Sequence, residues 1–241
     1  MVYDMAFTSD SQLLVSRDKR DVLVWDLATG GLCRTIIEKD RIGHYPTVAL
    51  SSNSELAFLE DRGGDTIRLL HLTTGKLSRT FQGHKFEVRA VMFSPNSKLL
   101  VTIDHFESVR IWNVVTCELR HVLNPPKDDA DNHEYHIVFS SDGRLLACVF
   151  TRSFRDTEVM LWNPLSGEVL STIRIPSYIK TATFSPDGKL FASADRDGVV
   201  QLWNPATRKL YRQFSGGDHP IEAIAFVAED QLLAGSDAQR N

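Results

Sequence analysis

The chain has 241 residues, 42% hydrophobic and 24% charged, which are values of an ordinary folded domain and exclude a disordered chain. Its formal net charge of −4 argues against nucleic acid as the main partner, because nucleic-acid-binding domains carry a basic field. It has three cysteines but no CxxC pair, no apolar run of about 18 residues, and a strand-like pattern from its first residues. These features predict an intracellular protein, cytoplasmic or nuclear, with no membrane partner.

The first predicted element is a pair of strands over residues 5–16, MAFTSDSQLLVS, in which two apolar runs flank a short polar turn. The same pattern returns at 48–59, 91–102, 137–148, 182–193 and 224–235. The aromatic or leucine residue that ends the first run recurs with gaps of 43, 43, 46, 45 and 42 residues, at Phe7, Leu50, Phe93, Phe139, Phe184 and Phe226. The chain is therefore built from a repeat.

A third predicted strand follows each copy except the last, and it ends in tryptophan in four of the five cases. The tryptophans are Trp25, Trp112, Trp162 and Trp203, and Leu70 takes their place in the second copy. Alternating residues such as VQLW are typical of a half-buried strand, and the Asn-Pro that follows Trp162 or Trp203 ends it. A fourth, outer strand then follows in each copy, for example KLSRTF at 76–81.

No segment has a helical period over three turns, so the sequence predicts an all-β chain. A period of 40–45 residues with four short strands per copy is typical of a β-propeller, in which each small sheet shelters its neighbour's apolar face. We expect a β-propeller of four-stranded antiparallel blades, with about six units and the last one incomplete. The predicted units span residues 2–37, 45–82, 86–123, 135–174, 179–215 and, as a partial unit, 220–241.

These repeats resemble those of the WD40-repeat β-propeller family along essentially the whole chain, although only Trp25–Asp26 spells the Trp-Asp pair literally. The resemblance implies a single WD-repeat propeller domain. Because the last unit has two predicted strands where the others have four, we expect the domain to be part of a longer propeller or of a larger protein.

The resemblance also implies a structural network in each unit, made by a histidine from a Gly-His pair, a strand hydroxyl, a turn aspartate and the tryptophan. The fifth unit has Ser193, Asp197 and Trp203 without the histidine. The third unit has His84, Thr102 and Trp112, but Asp104 stands two residues from the expected place. The fourth unit has Asp156 and Trp162, with Cys148 where a hydroxyl is expected. Indole N–H groups without a hydroxyl would need other partners, such as backbone carbonyls.

In propellers of this family, the turns between second and third strands share one rim with the links that enter each unit. Aromatic and arginine side chains are common at interface centres, so this rim is the predicted partner-binding surface. Its candidate residues are Arg62, Phe86, His105, Phe106, Arg152, Phe154, Arg155, Tyr178 and Arg196. The alternative is that the three phenylalanines pack under their own loops and the arginines are only solvated.

Catalytic chemistry has little support in the sequence. His133 and His136 are spaced as His-Glu-x-His in an acidic loop that enters a strand, which favours a solvated loop over a metal site. No nucleophile elbow or phosphate-binding glycine loop is present. The favoured function is a non-catalytic scaffold that binds other proteins or peptides, with no cofactor, no metal and an oligomeric state left open.

Two other interpretations remain open. The degenerate repeats resemble the arrays of fungal NACHT-type NTPases, which would make the chain a sensor or autoinhibitory module of a larger signalling protein. A quinoprotein-like or lactonase-like propeller enzyme is the third interpretation, because fold alone does not determine function.

Overall fold

The computed structural model describes residues 4–8, 10–17, 21–37, 48–52, 54–59, 66–125, 134–153, 156–217, 219–227 and 232–236. Within these ranges every regular element is a β-strand, and the strands form antiparallel sheets in which neighbouring strands are consecutive in the chain. The predicted fold class, all-β with four-stranded antiparallel blades, is confirmed. No helix among these residues is long and apolar enough to span a membrane.

The chain divides into two compact units, Met1–Pro125 and Pro126–Asn241. The first unit holds three four-stranded sheets. The first sheet contains β1 (Asp4–Phe7), β2 (Leu13–Arg17), β3 (Asp21–Asp26) and β4 (Leu32–Ile37). The second contains β5 (Val48–Leu50), β6 (Glu55–Leu59), β7 (Ile67–His71) and β8 (Leu77–Phe81). The third contains β9 (Val88–Phe93), β10 (Leu99–Asp104), β11 (Val109–Asn113) and β12 (Leu119–Leu123).

The second unit holds two four-stranded sheets and a two-stranded one. The fourth sheet contains β13 (Glu134–Phe139), β14 (Leu146–Ser153), β15 (Asp156–Asn163) and β16 (Glu168–Ile175). The fifth contains β17 (Ile179–Phe184), β18 (Phe191–Asp195), β19 (Val199–Asn204) and β20 (Lys209–Ser215). The sixth contains β21 (Ile221–Phe226) and β22 (Leu232–Ser236).

Within each unit the sheets stack through their first strands, so that β1, β5 and β9 are successive neighbours, as are β13, β17 and β21. Apolar side chains fill the space between consecutive sheets. Between the second and third sheets, Phe81 and Trp112 meet edge to face with ring centroids 5.8 Å apart. Between the fourth and fifth, Ile173 and Ile179 pack in one cluster with Phe191. A single sheet could not bury both of its faces, so this stacking supplies the core.

The turn between the first and second strands repeats one hydrogen-bonding pattern. In the fifth sheet, Ser185 Oγ donates to Asp187 Oδ1, and that carboxylate accepts the backbone N–H of Lys189. The residue after the aspartate has positive φ, which Gly188 adopts at 71° without steric cost. In the third sheet Ser97 takes the same position at 54°. The Ser-Pro-Asp-Gly motif therefore forms the predicted tight turn, and serine can replace its glycine.

Candidate functional site

A four-residue network organises the third sheet. Trp112 Nε1 lies 2.9 Å from Thr102 Oγ1, which lies 2.6 Å from His84 Nε2, and His84 Nδ1 lies 3.0 Å from Asp104 Oδ2. Because an indole N–H can only donate, Thr102 accepts it and turns its own proton toward His84 Nε2. The remaining His84 N–H then donates to the Asp104 carboxylate. All four residues are buried, so the chain of bonds excludes water.

Asp104 stands two residues from the place expected from the sequence, and it nevertheless belongs to the network. Asp104 ends strand β10 and is 2% exposed, which brings its carboxylate to the histidine that precedes β9. The pairing register between β10 and β9 shifts between Ile103 and Asp104, and Asp104 pairs with Val88. The aspartate of this network therefore stands at the strand end, two residues earlier than expected.

The fifth sheet has the equivalent carboxylate at Asp195, which ends β18 and is buried. Asp197, the residue expected from the sequence, is exposed in the following turn. Trp203 Nε1 donates to Ser193 Oγ at 3.2 Å, and Ile175 stands at the chain position of the missing histidine. In the first sheet Trp25 Nε1 donates to Ser16 Oγ at 2.8 Å.

The fourth sheet lacks the network. Trp162 is 4% exposed, and its indole nitrogen is buried without a hydrogen-bond partner among the described residues. Cys148 occupies the strand position that holds Thr102 in the third sheet, as the sequence indicates. Asp156, the expected carboxylate, lies exposed at the start of β15, and buried Phe150 takes the position of Asp104. Burial raises the pKa of the Cys148 thiol far above its ordinary value, which makes the thiol an inert core group.

Asp104 also shapes the turn between β10 and β11. Its second oxygen, Oδ1, accepts the backbone N–H groups of Phe106 and Ser108, each at 3.0 Å. Asp195 does the same in the fifth sheet, with Asp197 N at 3.0 Å and Val199 N at 2.8 Å. One carboxylate thus ties each of these turns to the strand that precedes it, and in the third sheet it also ties the turn to the tryptophan network.

The turn after β10 presents an exposed aromatic cluster, which we name the aromatic platform: Phe86, His105 and Phe106. Phe86 and Phe106 are 45% and 47% exposed, and their ring centroids lie 4.2 Å apart. The His105 ring lies 5.1 Å from Phe106 at a steep angle. The backbone N–H of His105 donates to the Glu87 carbonyl at 2.8 Å, which joins the turn to the link that enters the sheet.

The equivalent turn of the fifth sheet carries a cation–π pair instead. The Arg196 guanidinium lies 4.9 Å from the centre of the Tyr178 ring, and Lys180 Nζ lies 5.6 Å from the same ring. Arg196 N donates to the Tyr178 carbonyl at 3.1 Å, which repeats the backbone bond of the third sheet. These contacts bring exposed Arg196 and half-buried Tyr178 together as one pair within the second unit.

The other rim candidates lie outside the described residues. Arg62, Phe154 and Arg155 fall there, and of Arg152 the structure describes the backbone in β14 but not the side chain. Of the two histidines in the acidic loop, His133 is also outside these ranges, whereas His136 lies in β13. In the part of the chain that is described, no three His, Cys, Asp or Glu side chains come together as a metal site.

Comparison with known proteins agrees with the repeat. The family model described as "WD domain, G-beta repeat" matches residues 75–113 and 167–204. Human "Apoptotic protease-activating factor 1" is 28% identical over 208 residues, covering 83% of this chain and 16% of that protein. The potato (Solanum tuberosum) "Guanine nucleotide-binding protein subunit beta" is 24% identical over 204 residues, covering 80% of this chain and 53% of that protein.

Mouse "WD repeat-containing protein 90" is 27% identical over 203 residues, which are 78% of this chain and 10% of that protein. The chain thus spans between a tenth and about half of the length of these relatives. Two repeats of the chain match the WD40 family model, and the chain is similar to WD-repeat proteins.

Proposed function

We propose that this chain is a non-catalytic scaffold that binds other proteins or peptides through its rim turns, with the aromatic platform of the third sheet as one contact. The observation that carries the proposal is the exposed contact between Phe86, on the link before β9, and Phe106, on a turn fixed by Asp104. Two exposed phenylalanines side by side cost solvation free energy in the free protein, and a partner that covers them recovers it.

Rigidity supports the same proposal. A surface that is held in one conformation loses little entropy on binding, so its contacts contribute more fully to affinity. The turn of the platform is held by two backbone bonds to Asp104 and by the bond from His105 N to Glu87. The Tyr178–Arg196 pair on the fifth sheet is a second candidate contact, since tyrosine and arginine are frequent at interface centres.

The test is quantitative capture of partners from the source cell by the 241-residue chain and its variants. Phe86→Ala combined with Phe106→Ala should remove a reproducible set of partners or weaken them at least about tenfold, without lowering the melting temperature. The matched control is Val115→Ala, because Val115 is apolar and 71% exposed in the turn between β11 and β12, at the opposite end of the same sheet. A capture profile that the double variant leaves unchanged would contradict the proposal.

A second candidate function is favoured by one observation. The match to apoptotic protease-activating factor 1 covers most of this chain but a small part of that protein. We propose, as the alternative, that these repeats serve as a sensor or autoinhibitory module inside a larger signalling NTPase. Sequencing the complete transcript tests this directly: an upstream nucleotide-binding domain would support it, and a transcript without one would exclude it.

A further inference from the structure

A cavity in the second unit, between the fourth and fifth sheets, is the feature that the rim proposal does not use. Its volume is about 410 Å³ and its walls are mainly apolar. Leu145, Leu161 and Leu170 come from the fourth sheet, and Pro205 and Ala206 come from the turn between β19 and β20. This turn lies at the opposite end of the fifth sheet from Arg196, so the cavity is separate from the rim.

The repeat explains why the cavity exists. Ser171 lines the cavity and pairs with Leu161, the residue directly before Trp162. The equivalent residues of the other four-stranded sheets are Arg34, Arg79, His121 and Arg212. Four sheets therefore place a long basic or ring side chain where the fourth sheet has a serine.

Between the first and second sheets the equivalent groove is filled from within the chain. Arg34 crosses from the first sheet to the second, and its Nη2 donates to the Thr73 carbonyl at 2.9 Å. The guanidinium lies directly against Gly75, where a side chain would collide with it. Thr73 holds the turn position that Ala206 holds in the fifth sheet. Replacing the arginine by Ser171 leaves the corresponding volume open.

The arginine at the cavity comes from the later of the two sheets, whereas Arg34 comes from the earlier one. Arg208 stands at the position of Gly75, with a positive φ of 62°, and its Nη2 reaches the Leu170 carbonyl at 3.3 Å. Lys189, another lining residue, pairs with Asp187 at 2.9 Å. Two cations and one carboxylate thus line the cavity or bond to its lining, which leaves an excess of positive charge beside an apolar wall.

From this arrangement we propose that the cavity is a second docking site, and that its occupant is an acidic peptide segment of a partner protein carrying one bulky apolar side chain. The apolar side chain replaces the missing arginine between Leu145, Leu161 and Pro205. Carboxylates of the same segment face Lys189 and Arg208. A basic segment is disfavoured, because a guanidinium already borders the site and like charges repel.

The probe is a capped pentapeptide with one phenylalanine between two pairs of glutamates, titrated into the ¹⁵N-labelled 241-residue chain and followed by NMR. Saturable shifts of the Leu145, Leu170 and Lys189 amides are expected. Two comparison peptides, one with lysines for the glutamates and one with alanine for the phenylalanine, should bind at least about tenfold more weakly. Equal binding of the three peptides, or no saturable shift with the acidic one, would overturn the proposal.

Variants separate this site from the rim. Ser171→Arg restores the side chain of the other sheets and should abolish the shifts, whereas Gln213→Arg adds the same charge on β20 outside the cavity and should not. If Ser171→Arg does not fold, Lys189→Ala and Arg208→Ala, both at exposed positions, should each weaken binding. Arg196→Ala at the rim should leave it intact. Shifts that persist in Ser171→Arg would refute the docking site and leave the rim proposal untouched.

Discussion

At the residue scale, Thr102 connects the network of the third sheet, because its hydroxyl hydrogen-bonds both Trp112 and His84. Thr102→Val keeps the side-chain shape and leaves two buried polar groups without this partner. We expect the free energy of unfolding to fall by about 2–4 kcal/mol, since each such group costs about 1–3 kcal/mol. Urea denaturation followed by fluorescence measures the change.

The fifth sheet supplies the comparison for that prediction. Ser193→Ala removes the partner of Trp203 alone, so it should cost about half as much as Thr102→Val. A loss for Thr102→Val no larger than that for Ser193→Ala would show that His84 and Asp104 add nothing to the third sheet.

At position 148 we predict that a hydroxyl raises the stability instead of lowering it. The Trp162 indole N–H is buried without a partner among the described residues, so a hydroxyl at position 148 should supply one. We expect Cys148→Ser to be more stable than Cys148→Ala by about 1 kcal/mol, the net value of a typical hydrogen bond. Cys117→Ser, at a half-buried position, is the control and should change little. Equal stability of the two variants at 148 would mean that the serine does not reach the indole.

Sequence reasoning reached part of this residue-scale picture. It identified the four tryptophans and the substitution at Cys148, because both follow from counting along a repeat. It named Asp197 in the fifth sheet, whereas Asp195 bonds the turn, because the choice between two nearby aspartates depends on where the strand ends. The contact between Phe86 and Phe106 joins two separate segments of the chain, and only the folded sheet brings them together.

At the element scale, the turn between the first and second strands of a sheet contains an aspartate whose pKa is lowered by hydrogen bonds. Hydrogen bonds from the Lys189 backbone, then from the Lys189 side chain and from Ser185, hold the pKa of Asp187 below its ordinary value. Asp142 in the fourth sheet has its pKa lowered by Ser140 first and then by the Arg144 backbone. A lowered pKa means that the folded state prefers the carboxylate.

These turns should therefore contribute stability above about pH 4, the ordinary aspartate pKa, and lose it as the pH falls through the lower folded values. The third sheet offers the matched substitution, because neutral Asn96 makes the same bonds to Ser94 and Lys98. Asp142→Asn with Asp187→Asn should reduce the drop in melting temperature between pH 5 and pH 3. A drop as steep as that of the unaltered chain would rule out these two carboxylates as its source.

The strand pattern itself was the most predictable element. Alternating apolar residues, Asn-Pro ends and polar turns predict the order of the strands, and every described sheet follows this order. The cavity beside Ser171 could not be predicted in the same way, since it arises from what one side chain fails to fill across two neighbouring sheets.

At the scale of the whole molecule, each unit is stable only as a stack, because its sheets bury apolar faces against one another. Trp203 is the largest side chain in the cluster between the fourth and fifth sheets. Trp203→Ala should lower the free energy of unfolding of the second unit by about 3–5 kcal/mol. Leu165→Ala, at a 62% exposed position of the same unit, should have little effect. Similar losses for the two variants, measured by urea denaturation, would speak against a stacked core.

The stacked sheets in turn hold the rim turns in place. The scaffold function depends on this link, because Asp104 joins the buried network of the third sheet to the turn that carries the aromatic platform. A substitution that loosens the turn should weaken binding even though both phenylalanines remain.

The equilibrium dissociation constant of a captured partner tests this link most directly, measured by calorimetry for the unaltered chain, Phe106→Ala, Asp104→Ala and Val115→Ala. We predict at least about tenfold weaker binding for the first two variants and unchanged binding for Val115→Ala. Dissociation constants that are the same for all four proteins, each verified as folded, would contradict a partner-binding platform on the third sheet.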